Sequence, residues 1–422
     1  MPELLKGTAV IGQSGGPTAV INQSLVGVVE GLRDGLFAAG AVTRVLGMRN
    51  GVRGMTKDDF IDLTGVHQDR LDRLATTPSA GLGSTRDKPD QAYCEKVLAS
   101  CKKNDVRYFF YIGGNDSSDT CRIVSEMAKS TGYAMRCVHV PKTVDNDLME
   151  NDHTPGFASA ARFVAMACMA DFMDNISLPG IKINVIMGRH AGFLTAASAL
   201  ARRADKHGVK GDTESTDGPQ LIYLPEVPFD MDRFVADVEW WYSRKGRCHI
   251  AVSEGICDKD HKEIGATLIK GGQVDAHGNV QLSGSGALGD ALADFLKAKL
   301  TPAGGKAPRV RSDTFGYVQR CWPDPSPIDA AEARRAGRFG ARLALQGQVD
   351  GHVDGSVAIV RTGKGHSGEA YVSDYKRVEL SAIAAKTRKM PAEFIKGHND
   401  VSDAFLNYCR PLVGELPTFE RF

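Results

Sequence analysis

Short apolar runs alternate along the first half of the chain with longer stretches in which apolar residues recur every three or four positions. TAVIGQ (residues 8–13) reads as a strand, and TAVINQSLVGVVEGL (18–32), beyond Gly15-Gly16-Pro17, has helical periodicity that ends near Asp34-Gly35. QAYCEKVLASCKKND predicts a helix, VRYFFYIGG a strand, SSDTCRIVSEMAKS a helix and MRCVHVPKT a strand. IKINVIMGRHAG then repeats the strand-to-glycine theme before an expected helix, FLTAASALARRA. Alternating strands and helices imply right-handed crossover units and a mainly parallel sheet, whose ligands bind beyond the carboxyl ends of the strands. The glycine-rich and polar motifs all fall at such ends.

At 422 residues the chain is too long for one small core, which predicts two or three domains. The polar stretch Asp205–Pro219 reads as a surface loop, LTPAGGKAP and CWPDPSP punctuate the chain on either side of RVRSDTFGYVQR, and from about Gly363 the pattern is mixed. A formal charge of +1 argues against a nucleic-acid partner. No apolar run reaches the roughly 18 residues of a membrane span, and FASAARFVAMACMADFM carries Arg162 and Asp171 and reads as a core helix. The opening MPELLKGTAVIGQSGG lacks the pattern of a secretory leader. Nine scattered cysteines without a C-x-x-C pair point to buried, reduced thiols.

Chemistry concentrates in six motifs. GQSGGPTAVIN places Gly15-Gly16 between a strand and a helix, where backbone N–H groups favour anions; a plain tight turn is the competing reading. VRYFFYIGGNDSSDT has the same layout but adds Asn115 and Asp116, and a carboxylate there would repel an ordinary nucleotide phosphate. Asp119 or Ser118 is a candidate helix cap. PKTVDNDL crowds Lys142, Thr143, Asp145, Asn146 and Asp147 together: an aspartate suited to abstracting a proton from an alcohol, beside a lysine suited to phosphoryl charge, unless this is only a solvated turn. IMGRHAGFL offers Arg189 for an anionic or hydroxyl-rich ligand, with His190 read as structural. YLPEVPFD offers Glu226 as an acceptor for sugar hydroxyls, and VRSDTFGYVQR offers Arg311, Tyr317 and Arg320 for a phosphate monoester.

In combination and in this order, the motifs resemble the 6-phosphofructokinase family over roughly Thr8 to Arg320. The resemblance implies two similar Rossmann-like α/β domains with mainly parallel sheets and the active site in the cleft. Residues 1–157 plus about 318–395 would form the donor domain, and about 158–317 plus 396–422 the fructose 6-phosphate domain. It implies phosphoryl transfer to the 1-hydroxyl of fructose 6-phosphate, with Asp145 as catalytic base. Thr143, Val144, Asp145, Met187, Gly188, Arg189, Glu226, Tyr317 and Arg320 would hold the sugar phosphate, Gly16 the donor phosphates, and Arg86 would face the donor. Arg311 would reach across a subunit interface, making the protein a homodimer or homotetramer in the cytoplasm.

Two positions point to the pyrophosphate-dependent type. ATP-using members generally carry glycine where Asp116 and Lys142 stand. A carboxylate at Asp116 would repel the α-phosphate that ATP has and pyrophosphate lacks. On this reading Asp116 and Lys142 join Asp145 as catalytic residues, and the reaction is reversible. The family's Mg²⁺-associated aspartate is Asn115 here, a neutral oxygen and a weaker ligand for a hard cation; Mg²⁺ is still expected. Gly180 stands near where some relatives have another cross-subunit arginine, with Lys182 as candidate substitute. The alternatives are an ATP-dependent 6-phosphofructokinase and a non-catalytic sugar-phosphate-binding regulatory subunit, the latter opposed by the intact Asp145. A dinucleotide-dependent oxidoreductase would need a glycine fingerprint that is missing.

Overall fold

The computed structural model describes residues 3–37, 39–202, 217–268, 286–347 and 351–419. The expected loop at Asp205–Pro219 lies outside them except for its last three residues. The chain divides into two compact units: residues 1–159 with 320–388, and residues 160–319 with 389–422. The strands in chain order are β1 (Gly7–Gln13), β2 (Val42–Met48), β3 (Phe60–Asp62), β4 (Val106–Gly113), β5 (Arg136–Pro141), β6 (Ile181–Ile186), β7 (Leu221–Tyr223), β8 (Cys248–Ser253), β9 (Val310–Thr314), β10 (Gly355–Lys364), β11 (Tyr371–Val378), β12 (Ile395–Lys396) and β13 (Asp400–Val401).

The first unit holds a seven-stranded sheet in the order β11-β10-β5-β4-β1-β2-β3. Its five inner strands run parallel, and β3 and β11 close the two edges antiparallel. The apolar run of β4 has its cause here. Tyr108, Phe110 and Ile112 enter one core cluster, while Val106, Phe109 and Tyr111 enter another, so both faces of the strand are buried. On the first face the helix Ile21–Leu32 packs against the helix Pro327–Gln346, with Gly27 and Gly337 each lying against the other helix's backbone where a Cβ would collide. The partly exposed Arg334 and Arg338 both reach the Glu30 carboxylate. That contact draws the late segment of the chain back onto the first unit.

The second unit holds a four-stranded, all-parallel sheet in the order β7-β8-β6-β9, and β12 and β13 form a separate two-stranded ribbon. The division between the units falls inside the helix Phe157–Ser177.

Three elements depart from the expected boundaries. The helix expected over residues 193–204 is only Phe193–Ala197, followed by a 3-10 turn Ser198–Ala201. Ser198 turns its hydroxyl onto the Thr195 carbonyl at 2.6 Å, and Arg202 is extended, drawn to the Pro219 carbonyl and Asp400. The helix expected to end near Asp34-Gly35 continues beyond Leu32 as a π turn, Arg33–Phe37. The helix after β4 begins at Asn115, so Asn115 and Asp116 lie in its first turn rather than in a loop. Its N-cap is Gly114 without a side-chain cap; Asp119 instead pairs with Arg122, and the Ser118 hydroxyl donates to the Asn115 carbonyl.

Candidate active site

In the first unit the ends of β1, β4 and β5 are neighbours, with Gln13 opposite Ile112 and Gly113 opposite Pro141. The chain leaves β1 toward β2 on one side, while β4 lies on the other, so β1 and β4 flank the point where strand order reverses. Gly15-Gly16, Asn115-Asp116 and Lys142–Asp147 are thereby brought together. Gly15 has φ +76° and donates its N–H to the Thr85 carbonyl at 2.9 Å. Lys142 is buried and donates through Nζ to the Gly16 carbonyl at 2.7 Å. Gly16 lets two guanidinium groups close in: a Cβ there would lie 2.6 Å from Arg320 Nη1, which would have to shift, and 3.7 Å from Arg86 Nη2. Three cations thus surround one glycine turn. Burial, then the Arg320 guanidinium, push the Lys142 ammonium down to about 7, against the opposing pull of Asp145. An anion at this turn would relieve all three charges.

The loop after Lys142 is tightly held. The Asp145 N–H donates to Thr143 Oγ1 at 3.1 Å, and the Thr143 N–H to the Pro155 carbonyl at 3.2 Å. Val144 is buried. Asn146 adopts a left-handed conformation, φ +59°, and its side-chain oxygen accepts the Thr154 N–H at 3.0 Å. Arg388 donates to the carbonyls of Asn146, Asn151 and Asp152. Asn115 donates through Nδ2 to Asp147 Oδ2 at 3.1 Å, leaving its own buried Oδ1 without a hydrogen-bond partner. Burial, and then the charge of Asp145, raise the Asp147 carboxyl well above the usual carboxylate range. The Asp116 side chain is 66% exposed and lies 3.6 Å from Lys88 Nζ.

The second unit gathers Met187, Gly188, Arg189 and Glu226 at the ends of β6 and β7. Gly188 (φ +132°) lies so close to the Ala191 carbonyl that a Cβ would come within 2.6 Å of it, and its own carbonyl accepts the Ser253 hydroxyl at 2.5 Å. The Met187 N–H points to Gln319 Oε1 at 3.4 Å, and Arg189 Nε lies 3.9 Å from Glu263. Glu226 Oε1 accepts the N–H groups of Gly192 (2.9 Å) and Met390 (3.3 Å); its other oxygen is buried without a hydrogen-bond partner. Burial raises its carboxyl above the ordinary range. His190 is exposed and Tyr317 is 46% exposed.

Some expected residues are not brought together. Arg311 lies inside β9 opposite Lys182, not at the strand end, and its guanidinium holds Asp174 at 2.8 Å and the Leu178 carbonyl at 2.9 Å. Arg320, expected with Tyr317 at the sugar phosphate, does share the short 3-10 helix Gly316–Arg320 with it, and its guanidinium also lies beside the Gly16 turn. Lys182 is no substitute cross-subunit cation, because it is buried between Asp171 (2.9 Å) and Asp313. Arg388 and the Met390 N–H were missed altogether. Both act on or through the main chain from a segment far away in sequence, and no local pattern marks them.

The arrangement can hold a multiply charged anion beside a carboxylate base in one unit, and offers a hydrogen-bond acceptor for hydroxyls in the other. Residues 8–343 match the family model described as phosphofructokinase. The chain is 50% identical over 414 residues to the pyrophosphate--fructose 6-phosphate 1-phosphotransferase of Rhodospirillum rubrum, covering 97% of this chain and 95% of that protein. It is also similar to two solved pyrophosphate-dependent phosphofructokinases, from Nitrosospira multiformis (TM-score 0.79) and Marinobacter aquaeolei (TM-score 0.80). Each is 30% identical and covers 98% of this chain and 94% of its own.

Proposed function

The chain belongs to the phosphofructokinase family, and on that premise we propose that it transfers a phosphoryl group reversibly from pyrophosphate to the 1-hydroxyl of fructose 6-phosphate. The observation that carries the choice of donor is the buried Lys142, bonded to the glycine turn and flanked by Arg320 and Arg86. Such a cluster suits a compact diphosphate. Asp116 adds discrimination. It stands in the first turn of a helix whose N-cap is a glycine, a place that otherwise favours phosphate, and it fills that place with its own negative charge.

In the reaction Asp145 takes the proton of the 1-hydroxyl, whose oxygen forms the new bond to phosphorus. The P–O bond to the bridging oxygen breaks, and the electron pair leaves with inorganic phosphate. Lys142, with Arg320 and Arg86, bears the charge on the transferring and leaving groups. Glu226 presents its unpartnered oxygen to sugar hydroxyls, while Thr143, Val144, Met187, Gly188, Arg189 and Tyr317 shape the sugar phosphate's seat. Gly16 lets the Arg320 and Arg86 guanidinium groups approach the turn at which the donor phosphates would sit.

The residues fit Mg²⁺: Asn115 Oδ1 is a buried oxygen lacking a partner, beside the Asp147 carboxylate. Among the described residues no group of three His, Cys, Asp or Glu side chains is assembled for a metal, so donor phosphate oxygens and water would complete the shell. Bound there, the ion would neutralise phosphate charge. Among the described residues no helix is long and apolar enough to cross a membrane. We place the protein in the cytoplasm on its family membership alone. We further read it as a homodimer or homotetramer in which Arg311 serves a neighbouring subunit. Light scattering after size exclusion tests this, and full specific activity in a monomeric peak would refute it.

The deciding assay supplies purified protein with fructose 6-phosphate, Mg²⁺ and either pyrophosphate or ATP. Fructose 1,6-bisphosphate formed with pyrophosphate is the expected result. Turnover with ATP alone would make the chain an ATP-dependent phosphofructokinase, and sugar-phosphate binding without turnover a regulatory subunit.

A further inference from the structure

The loop that carries Asp145 and the carboxylate of Glu226 are both fastened by one short stretch of chain, Arg388-Lys389-Met390. Arg388 turns its guanidinium onto the main chain of that loop. Nη2 and Nε donate to the Asn146 carbonyl at 2.8 and 3.2 Å, and Nη1 donates to the Asp152 carbonyl at 2.8 Å and to that of Asn151. The Arg388 N–H adds a fifth bond, to the Asp147 carbonyl at 2.7 Å. Four carbonyls are therefore gathered on one residue. Asn146, which immediately follows the base, is held in the left-handed region that a non-glycine residue rarely adopts. Thr143 Oγ1 receives the Asp145 N–H on the other side, so the base stands between a tied N–H of its own and a tied carbonyl on the residue after it.

Two residues later, in the second unit, the Met390 N–H donates to Glu226 Oε1, and Met390 itself is buried. This bond and the one from Gly192 occupy Oε1, leaving Oε2 as the oxygen on offer. The intervening Lys389 adds an attractive positive charge to Glu226. Each of these contacts lies within its own unit. What joins them is the peptide chain itself, with Lys389 as the single residue between.

Resting on the reaction proposed above, we infer that Arg388-Lys389-Met390 is a positioning strap: Arg388 sets the backbone that aims Asp145, Met390 sets the Glu226 carboxylate, and the short covalent link makes sugar engagement at Glu226 and alignment of the base interdependent. Arg388 touches no reacting atom. It acts through the loop, so its loss affects the chemical step more than the affinity for the sugar. A guanidinium is required because lysine has one ammonium and cannot span several carbonyls set at different angles.

The test uses the full chain carrying Arg388→Lys, Arg388→Met, or one glycine inserted between Arg388 and Lys389, which keeps every group and lengthens only the link. Each is followed by thermal melting, calorimetric affinity for fructose 6-phosphate alone, and steady-state kinetics with pyrophosphate. For both substitutions kcat should fall about 10- to 100-fold, the scale of a displaced catalytic group, with sugar affinity and KM within about threefold. Guanidinium ion, but not sodium chloride at equal ionic strength, should restore part of the Arg388→Met rate. The insertion should lower kcat about tenfold by the same misalignment. Wild-type kcat in folded Arg388→Lys, or a rate that falls only as the folded fraction falls and gains nothing from guanidinium, would overturn the positioning role. An insertion variant with wild-type kinetics would overturn the interdependence. Should the wild type show no transfer from pyrophosphate while still binding fructose 6-phosphate, it is the assigned reaction that fails, whereas an active wild type beside fully active variants removes the strap alone.

Discussion

Two lysines, Lys142 in the first unit and Lys182 in the second, are both nearly sealed from water, at 3% and 6% exposure, and their chemistry is opposite. Lys182 lies between the carboxylates of Asp171 and Asp313. Burial alone would lower its pKa, yet those two partners raise it above the ordinary lysine value. Lys142 hydrogen-bonds a neutral carbonyl and faces the guanidinium of Arg320, and burial takes it down to about 7. A buried cation whose carboxylates are supplied by the fold is part of the scaffold. One placed among other cations at a glycine turn, where burial outweighs the pull of Asp145 and Asp147, gains most when an anion arrives, and that is the signature of a phosphate site. Surface exposure and residue type are nearly the same in both cases, but Lys142 lies deeper, and depth together with the neighbours separates structure from function.

The largest effect expected lies next to Lys142. Asp145→Asn removes a positioned base and should lower turnover about 10²- to 10⁴-fold while fructose 6-phosphate still binds. Near-normal turnover in the purified variant would take the base role from Asp145. Lys142→Met should lower turnover with pyrophosphate by roughly 10²-fold, the scale of a lost preorganised charge, and change the KM for fructose 6-phosphate much less. The same change at Lys182 should do the reverse. Lys182→Met leaves Asp171 and Asp313 without their cation and should cost about 1–3 kcal/mol of stability, below the roughly 3–5 kcal/mol of a fully buried broken pair because Asp313 is half exposed. Its turnover per folded molecule should stay near wild type. If denaturant melts and kinetics give the two lysines the same profile, the comparison fails.

Donor choice is a smaller and sharper probe. Asp116 pairs with Lys88 at the surface and not with Lys142, so its effect is on what may approach the helix terminus. Asp116→Gly should admit an α-phosphate, and ATP-dependent turnover should rise several-fold above a low baseline, with pyrophosphate use reduced. Unchanged kcat/KM for both donors at fixed free Mg²⁺ would remove Asp116 from specificity.

What the amino-acid pattern made legible was mostly what repeats. Strands β1 and β4 announce themselves because they are apolar on both faces, β5 and β6 because apolar residues recur along short runs, and the ends of all four carry the glycines and charges of the site. The residues from Gly363 onward resisted because β11 is an edge strand, alternating exposed with partly buried positions, and its pairing with β10 shifts register between Arg361 and Gly363. The return of the late chain to the first unit depends on glycine contacts between helices more than three hundred residues apart, which leave no local trace. The pairing of Lys182 was equally hidden, since Asp171 and Asp313 come from opposite ends of the second unit's sequence. Asn115 and Asp116 were visible as chemistry but misplaced as loop, because a glycine N-cap gives no polar cue for where the helix starts.

The smallest effect expected is also the one most specific to the comparison, because the two lysines bias the pH dependence of folding in opposite directions. Lys142 has a folded-state pKa of about 7 against 10.5 for an ordinary lysine. Between those values the unfolded chain binds the proton and the folded chain does not, so stability of the ligand-free protein rises with pH across the window. Lys182 has its pKa raised above 10.5. Its contribution is complete below that pH and is lost only as the solution passes the raised value. In denaturant melts between pH 7 and 9, Lys142→Met should therefore be more stable than wild type at the lower end, with an advantage that shrinks as pH rises by at most about 1.4 kcal/mol per unit, the limit for one proton. Lys182→Met should be less stable by an amount that hardly changes over the same range. Pyrophosphate reverses the first slope: an anion at the turn restores the ammonium, so binding near pH 8 should take up a fraction of a proton that Lys142→Met does not take up. Calorimetry in two buffers of different ionisation enthalpy measures that difference. Equal proton uptake by wild type and Lys142→Met would mean that Lys142 is already charged before the donor arrives, and the contrast with Lys182 would then be one of position only.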